Sequence, residues 1–391
     1  MEADTRLTPF KRMEGPYSFN TSTSFKITRF FSFAIYFSTL HFHLTFFMIT
    51  LTKSKKREDE VDFMKIYAFE VREDERASFA KYEKEFGVKI TCTDQPLTRE
   101  NMDLLVGYQA ITTLGMMHYG PKELDAIKAH GIFYFSTRTI GYNHIDVCYA
   151  KSIGIHVCNA NYAPEGVAEY TIMMILLCLR NYKPALFRTQ VNDFSLYGLL
   201  GKELKDLTVG IIGTGRIGQT VIRILTGFGC KMLAFDPHPS KAVSDLVEYV
   251  PLDQLYAESD IITLHMPLTP DTRHMINDET IHKMKDGVVL INCARGPLMD
   301  IDALINNIEN CKIGALGLDC IEEEESIVHK DLRTDIISNR KMAYLRQFPN
   351  VVHTQHMAFY TDAAVDSMVY CGIHGLLAMS ESNTYPQELT R

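Results

Sequence analysis

Positive charge is in short supply. The chain sets 40 Lys and Arg against 48 Asp and Glu, a formal net charge of -8, which argues against a surface built to neutralise nucleic-acid phosphates. No C-x-x-C pair occurs and the nine cysteines are odd in number, so neither a disulfide framework nor a tetrahedral zinc site fits. They read as small buried apolar residues in a reducing compartment, expected to be the cytoplasm. Internal repeats and low-complexity tracts are absent after residue 63. The 391 residues, 46% hydrophobic and 23% charged, suffice for two ordinary domains and exclude a fully disordered chain.

Residues 1–63 are poor in what the remainder has. They contain one glycine, Gly15, and no cysteine, yet hold 11 of the 22 Phe and carry a net +2 against -10 for the rest. Within them, residues 30–51 (FFSFAIYFSTLHFHLTFFMITL) form an uncharged run of 22 residues, about the length of a membrane-spanning helix. His41, His43 and several hydroxyls dilute that signal, basic residues flank both ends, and no small-x-small cleavage site follows. Three readings stand: a leader outside the folded protein or a misplaced start, a membrane anchor, and a targeting segment of another type. A strand beginning at Lys65, directly after Met64, favours the first.

From Met64 onward short β-branched runs alternate with helical patterns, which predicts a parallel sheet flanked by helices. Strands are expected at residues 209–212, 231–235, 260–264, 288–292, 313–318 and 351–354, enough for one doubly wound domain. A smaller strand and helix series precedes them, with strands at 65–69, 111–114 and 132–136. Residues 163–182 (APEGVAEYTIMMILLCLRNY) predict one helix, apolar almost all round and therefore buried between domains or against another subunit. Residues 361–379 predict a helix that folds back on the first region.

Residues 209–218 (VGIIGTGRIG) run from a buried strand into G-x-G-x-x-G at Gly213, Gly215 and Gly218. The first glycine permits a tight turn, the second lets backbone approach a pyrophosphate, and the third lets helix pack on strand. The helix start then offers unpaired N–H groups to phosphate. Asp236 closes the next strand, where a carboxylate accepts ribose hydroxyls and repels a 2'-phosphate, so NAD is expected rather than NADP. No Gly-Lys-Ser or Gly-Lys-Thr follows, which excludes a P-loop.

Three further motifs lie near carboxyl ends of expected strands: NCARG (292–296), GLDCIEEEE (317–325) and HTQHMAFYT (353–361). With them the sequence resembles the D-isomer-specific 2-hydroxyacid dehydrogenases, particularly the D-lactate dehydrogenase branch, from Met64 to about Met379. The 32-residue spacing from Glu324 to His356 matches that branch. The resemblance implies two Rossmann-like doubly wound α/β domains, with a discontinuous substrate domain at 64–160 and 358–391, an NAD-binding domain at 161–357, and a leader outside them. It implies catalytic roles for Arg295, Glu324 and His356, whose residue types suit carboxylate binding by a planar fork and proton transfer by an imidazole held by an acid.

By the same resemblance, Arg216 and Ile217 flank the phosphate turn, and Met266, Pro267 and Thr272 lie on the adenosine side. Cys293, Ala294 and Asp319 are expected beside the nicotinamide. Substrate contacts are implied for Ile140 and Gly141, in the loop STRTIGYNHID (136–146), and for Leu114, Tyr162 and Phe359. No metal is implied, and His353 with His356 offers no evident third ligand.

Departures from the family pattern are Gln355 in place of a proline, bulky Tyr142 and His144 in the carboxylate loop, and Leu114 where some lactate enzymes carry Tyr. The resemblance implies reduction of pyruvate to D-lactate. Leu114 and the stretch VNDFSLYGLLG (191–201) leave larger aliphatic or aromatic 2-oxo acids open, and residues 136–146 resemble dehydrogenases of glycopeptide resistance. An NAD(H)-sensing corepressor is the alternative of another class. A homodimer is implied, with membrane contact expected only if the leader is an anchor.

Overall fold

Among the described residues, twelve short strands, most of them buried on both faces, sort into two parallel sheets. The structure is a computed structural model that describes residues 63–381 and 385–391, so the expectations for residues 1–62 lie outside the described residues. The first sheet contains β1 (Lys65–Ala68), β2 (Lys89–Cys92), β3 (Ala110–Thr113), β4 (Tyr134–Thr137) and β5 (His156–Cys158), in spatial order β2-β1-β3-β4-β5. The second contains β6 (Thr208–Ile212), β7 (Lys231–Phe235), β8 (Glu248–Tyr249), β9 (Ile261–Leu264), β10 (Val288–Asn292), β11 (Ile313–Leu318) and β12 (Val351–His353), in order β12-β11-β10-β9-β6-β7-β8. Both sheets are flanked by helices, giving an α/β Rossmann-like fold. In each, the strand order reverses once, between β1 and β3 and between β6 and β9, and ligands in open α/β sheets bind in the crevice such a reversal opens at the strands' carboxyl ends.

The β-branched runs became strands where expected. Strands β2, β5 and β8 went unforeseen because their sequences, KITC, HVC and EY, are too short to show a period. The single helix expected over 163–182 is instead two, Glu165–Leu179 and Tyr182–Gln190. Asn181, at a φ of +49°, turns the chain between them, a conformation asparagine tolerates better than most residues. The first helix buries Val167, Ala168, Ile172, Met174 and Ile175 against β10, β11 and the helix Arg216–Thr226, which explains its apolar composition. The second buries none of its residues.

The last helix, Asp362–Ser380, begins at a Thr361 cap whose Oγ1 accepts from Ala364 N at 3.2 Å. It returns to the first sheet, packing on β4, β5 and the helix Arg76–Phe86. It is long and apolar enough to cross a membrane, but ten of its residues are buried in the protein. Behind β4 lies a fully buried ion pair, Arg138 Nε to Glu75 Oε1 at 2.8 Å, with neither side chain exposed. The Arg138 Nη2 also donates to the carbonyls of Phe69 and Glu70, so the turn after β1 is tied to the end of β4. All nine cysteines are free, and six are buried.

Candidate active site

The glycine turn after β6 is shaped by close approach. Gly213 has a φ of +96°, and a Cβ there would sit 2.6 Å from the His265 carbonyl oxygen. A Cβ on Gly218 would collide with the Gly213 carbonyl, whereas one on Gly215 would meet nothing within 4 Å. The turn is therefore packed on one side and open on the other, where a pyrophosphate fits against the start of the helix Arg216–Thr226. At the end of β7 the Asp236 Oδ2 accepts from Thr214 N at 2.6 Å and Thr214 Oγ1 at 3.2 Å, and its Oδ1 accepts from His238 N. A carboxylate has about four acceptor positions, so this one anchors the turn and still has capacity for a ribose hydroxyl.

The other expected cofactor residues surround this turn. The Met266 Cγ lies over Gly213, exposed Pro267 gives its carbonyl to Thr272 Oγ1 at 2.8 Å, and Ile217 packs on the core. Arg216 is differently engaged. Its guanidinium donates to Asn161 Oδ1 and, at 3.0 Å, to the Tyr162 carbonyl, joining the turn to the segment that links the two sheets.

Across the cleft the catalytic candidates converge. The His356 Nδ1 lies 2.7 Å from Glu324 Oε1; because a carboxylate only accepts, Nδ1 carries the proton and Nε2 is left for a ligand. The Glu324 Oε2 accepts from Ile321 N at 2.9 Å, which fixes the carboxylate. Burial lowers the His356 pKa, but the hydrogen bond and charge of Glu324, helped by Asp319, outweigh burial and Arg295, and the net direction is upward. His356 itself has a φ of +55°. Asp319, fully buried, holds that turn by accepting from Thr354 Oγ1, Met357 N and Ala358 N at 2.6 to 2.9 Å.

Arg295 sits in the half-buried turn after β10, its Nη1 donating to the Ala294 carbonyl at 2.6 Å. Its guanidinium lies directly over Gly141, leaving no room for a Cβ there. Arginine and carboxylate loop, 154 residues apart in sequence, are thus in contact. Leu114, Ile140, Tyr162, Cys293 and Phe359 all pack on one extended apolar core, and the rings of Tyr162 and Phe359 lie 6.5 Å apart. Ligand atoms of Cys320, Glu324 and His356 lie within 4.8 Å of one another, a group that does not include His353. Two of those groups are already bonded to each other, and the Cys320 thiol donates to the Ala294 carbonyl.

Sequence reading missed several neighbours. The exposed His329 donates from Nε2 to the His356 carbonyl at 3.2 Å, and its ring lies 6.2 Å from that of Phe359. The Arg72 guanidinium lies 5.8 Å from the centre of the Phe359 ring. Glu70 and His144 hold the loops beside Leu114 and Gly141. None had a motif to mark it, and His144 registered only as bulk.

A parallel sheet carrying this glycine turn and carboxylate defines an NAD-binding protein. Residues 172–358 match the D-isomer specific 2-hydroxyacid dehydrogenase, NAD binding domain, family. An aromatic 2-oxoacid reductase of Clostridium sporogenes is 44% identical over 308 residues, covering 78% of this chain and 93% of that protein. A D-lactate dehydrogenase of Escherichia coli K12 is 36% identical over 328 residues, covering 83% and 100%. The crystal structure of D-lactate dehydrogenase with NAD+ from Lactobacillus jensenii superposes with a TM-score of 0.73 at 30% identity, covering 84% of this chain and 100% of that one. The chain belongs to the D-isomer-specific 2-hydroxyacid dehydrogenase family and is an NAD-dependent oxidoreductase of D-2-hydroxy acids.

Proposed function

We propose that the protein reduces 2-oxo acids with large apolar side chains, aromatic ones above all, to D-2-hydroxy acids. The contact of Arg295 with Gly141, beside the His356 and Glu324 pair, carries the assignment of the site. The guanidinium fork holds the substrate carboxylate, aided by the N–H groups of Ile140 and Gly141. NADH, when bound, supplies the hydride that the carbonyl carbon receives. His356 gives the proton on Nε2 to the carbonyl oxygen, so the C=O double bond becomes CH–OH and the imidazole is left neutral. Glu324 keeps the ring oriented and favours its charged form before that transfer.

Residues Gly213, Gly215, Gly218 and Asp236 hold the dinucleotide in this reading, with Arg216, Ile217, Met266, Pro267 and Thr272 around them and Cys293, Ala294 and Asp319 near the nicotinamide. The division into 64–160 with 358–391 and 161–357 follows the two sheets. The preference for large side chains rests on the apolar character of Leu114, Ile140, Tyr162 and Phe359, the residues expected at the substrate, and on the similarity to the aromatic reductase. A second reading, pyruvate reduction to D-lactate, draws on the similarity to the E. coli enzyme. NADH oxidation with pyruvate, 2-oxobutyrate, 2-oxoisocaproate and phenylpyruvate separates them: highest kcat/KM with phenylpyruvate supports the first, and highest with pyruvate refutes it. A homodimer completes the proposal, supported by Phe187, Phe194, Leu196 and Tyr197, large apolar side chains 65 to 89% exposed that a second copy would cover, and free cysteines suit the reducing cytoplasm.

A further inference from the structure

The strand reversal of the first sheet falls between β1 and β3; Glu70 lies two residues past β1 and Leu114 directly past β3. Glu70 is buried, with a φ of +56°. Its own carbonyl accepts from Arg138 and its own N–H donates to the Gln95 carbonyl, so backbone bonds hold it in the left-handed region. That conformation turns its carboxylate onto the next loop: Oε2 accepts from Leu114 N at 2.6 Å and from Met116 N at 3.3 Å. Its Oε1 is buried with no partner, so the hydrogen bonds of the carboxylate all go to this loop. Burying a carboxylate is costly unless it is hydrogen-bonded or paired, and the loop N–H groups with the nearby Arg138 charge supply that compensation.

The other flank of the loop meets His144. Gly115, at a φ of +90°, lies so near the imidazole that a Cβ would be 3.0 Å from its Cε1. The ring is steadied by Thr137 Oγ1 at 3.1 Å from Nε2. Thr137 Oγ1 in turn meets Thr139 Oγ1, which donates to the Gly141 carbonyl at 2.6 Å. One side chain thus touches the loop of Leu114 and, through two hydroxyls, the loop that faces Arg295.

We propose that Glu70 and His144 clamp residues 114–116 back against the first sheet and so keep the substrate side-chain pocket wide enough for a large 2-oxo acid. Both are positioning residues: they act through the backbone of Leu114 and Gly115 and touch neither substrate nor cofactor. Specificity for side-chain size then depends on two polar residues outside the pocket as well as on Leu114 within it.

The inference rests on the proposed preference for large side chains, and its test separates the two. Glu70→Gly removes the carboxylate while tolerating the positive φ, and Glu70→Gln keeps an acceptor for Leu114 N. In the NADH-bound protein, amide hydrogen exchange at Leu114 and Met116 is expected to accelerate at least about tenfold in the glycine variant and to stay near wild type in the glutamine variant. The kcat/KM ratio of phenylpyruvate to pyruvate is expected to fall about tenfold in the glycine variant, the scale of one methylene misfit in an apolar pocket. That fall should come through KM for phenylpyruvate, with NADH affinity within about twofold of wild type. Unchanged amide exchange in the glycine variant overturns the clamp, as does an unchanged or rising ratio. A wild-type preference for pyruvate would refute the substrate reading alone, because the exchange rates would still decide the clamp.

Discussion

Replacing Glu324 by glutamine removes one charge and little volume, and its effect follows from three features of the site. The contact to His356 Nδ1 is 2.7 Å long, and the two side chains are 14% and 30% exposed, so solvent screens it only in part. Glutamine still offers an Oε1 acceptor to the Nδ1–H but carries no charge, and a hydrogen bond to an ionised partner contributes about 1.5 to 3 kcal/mol against about 0.5 to 1.5 for a neutral one. The imidazolium is therefore stabilised less, and the His356 pKa should drop. After the change, burial and the Arg295 charge still push down while Asp319 pushes up, so the direction of the change is downward. Reduction of the 2-oxo acid needs the protonated imidazole, and its kcat/KM falls as pH rises through that pKa. Oxidation of the hydroxy acid needs the neutral ring, and its kcat/KM rises through the same value. Both midpoints should move to lower pH in Glu324→Gln, measured as pH profiles of kcat/KM in each direction. A midpoint that stays in place, or a shift in only one direction of reaction, would refute the pairing as the source of the raised pKa.

Two other substitutions probe separate parts of the molecule. Arg295→Lys keeps the charge but loses the planar fork; loss of one charge-assisted bond predicts a fall in kcat/KM for the 2-oxo acid of about 10- to 100-fold, seen in steady-state kinetics, with NADH affinity by fluorescence titration unchanged. Glu75→Ala leaves the fully buried Arg138 guanidinium without its counter-charge, a loss of about 3 to 5 kcal/mol. Urea unfolding should report it, and a change below about 1 kcal/mol would mean that water or a neighbour replaces the carboxylate.

The motifs and the geometry meet at particular residues. Gly213, Gly218 and Asp236 were legible because each sits at a fixed offset from a strand end, and their geometry follows from local chain stereochemistry. Arg216 was placed at the phosphate turn by the family resemblance, and its guanidinium reaches Asn161 and Tyr162. A long flexible side chain takes whatever partners the tertiary fold presents. The break at Asn181 was obscured because apolar composition continues through Leu179 and resumes at Tyr182, and one residue in the left-handed region leaves little trace in a periodic pattern.

Glu70 shows the limit most plainly. In sequence it is one more acid beside a charged run, REDER, and nothing separates it from a solvated residue. Only the parallel pairing of β1 with β3 brings it beside Leu114 and buries it, since strand order depends on contacts among residues far apart in the chain. His144 likewise meets Gly115 only once β4 lies next to β3. The sequence by itself determined the α/β class, the dinucleotide turn and the residue types of the catalytic group, because these depend on local period and on short motifs. Tertiary structure alone decided which loops those residues face, that Arg295 lies on Gly141, and that buried Glu70 and half-buried His144 meet the loop of Leu114, because burial and distance are properties of the packed chain.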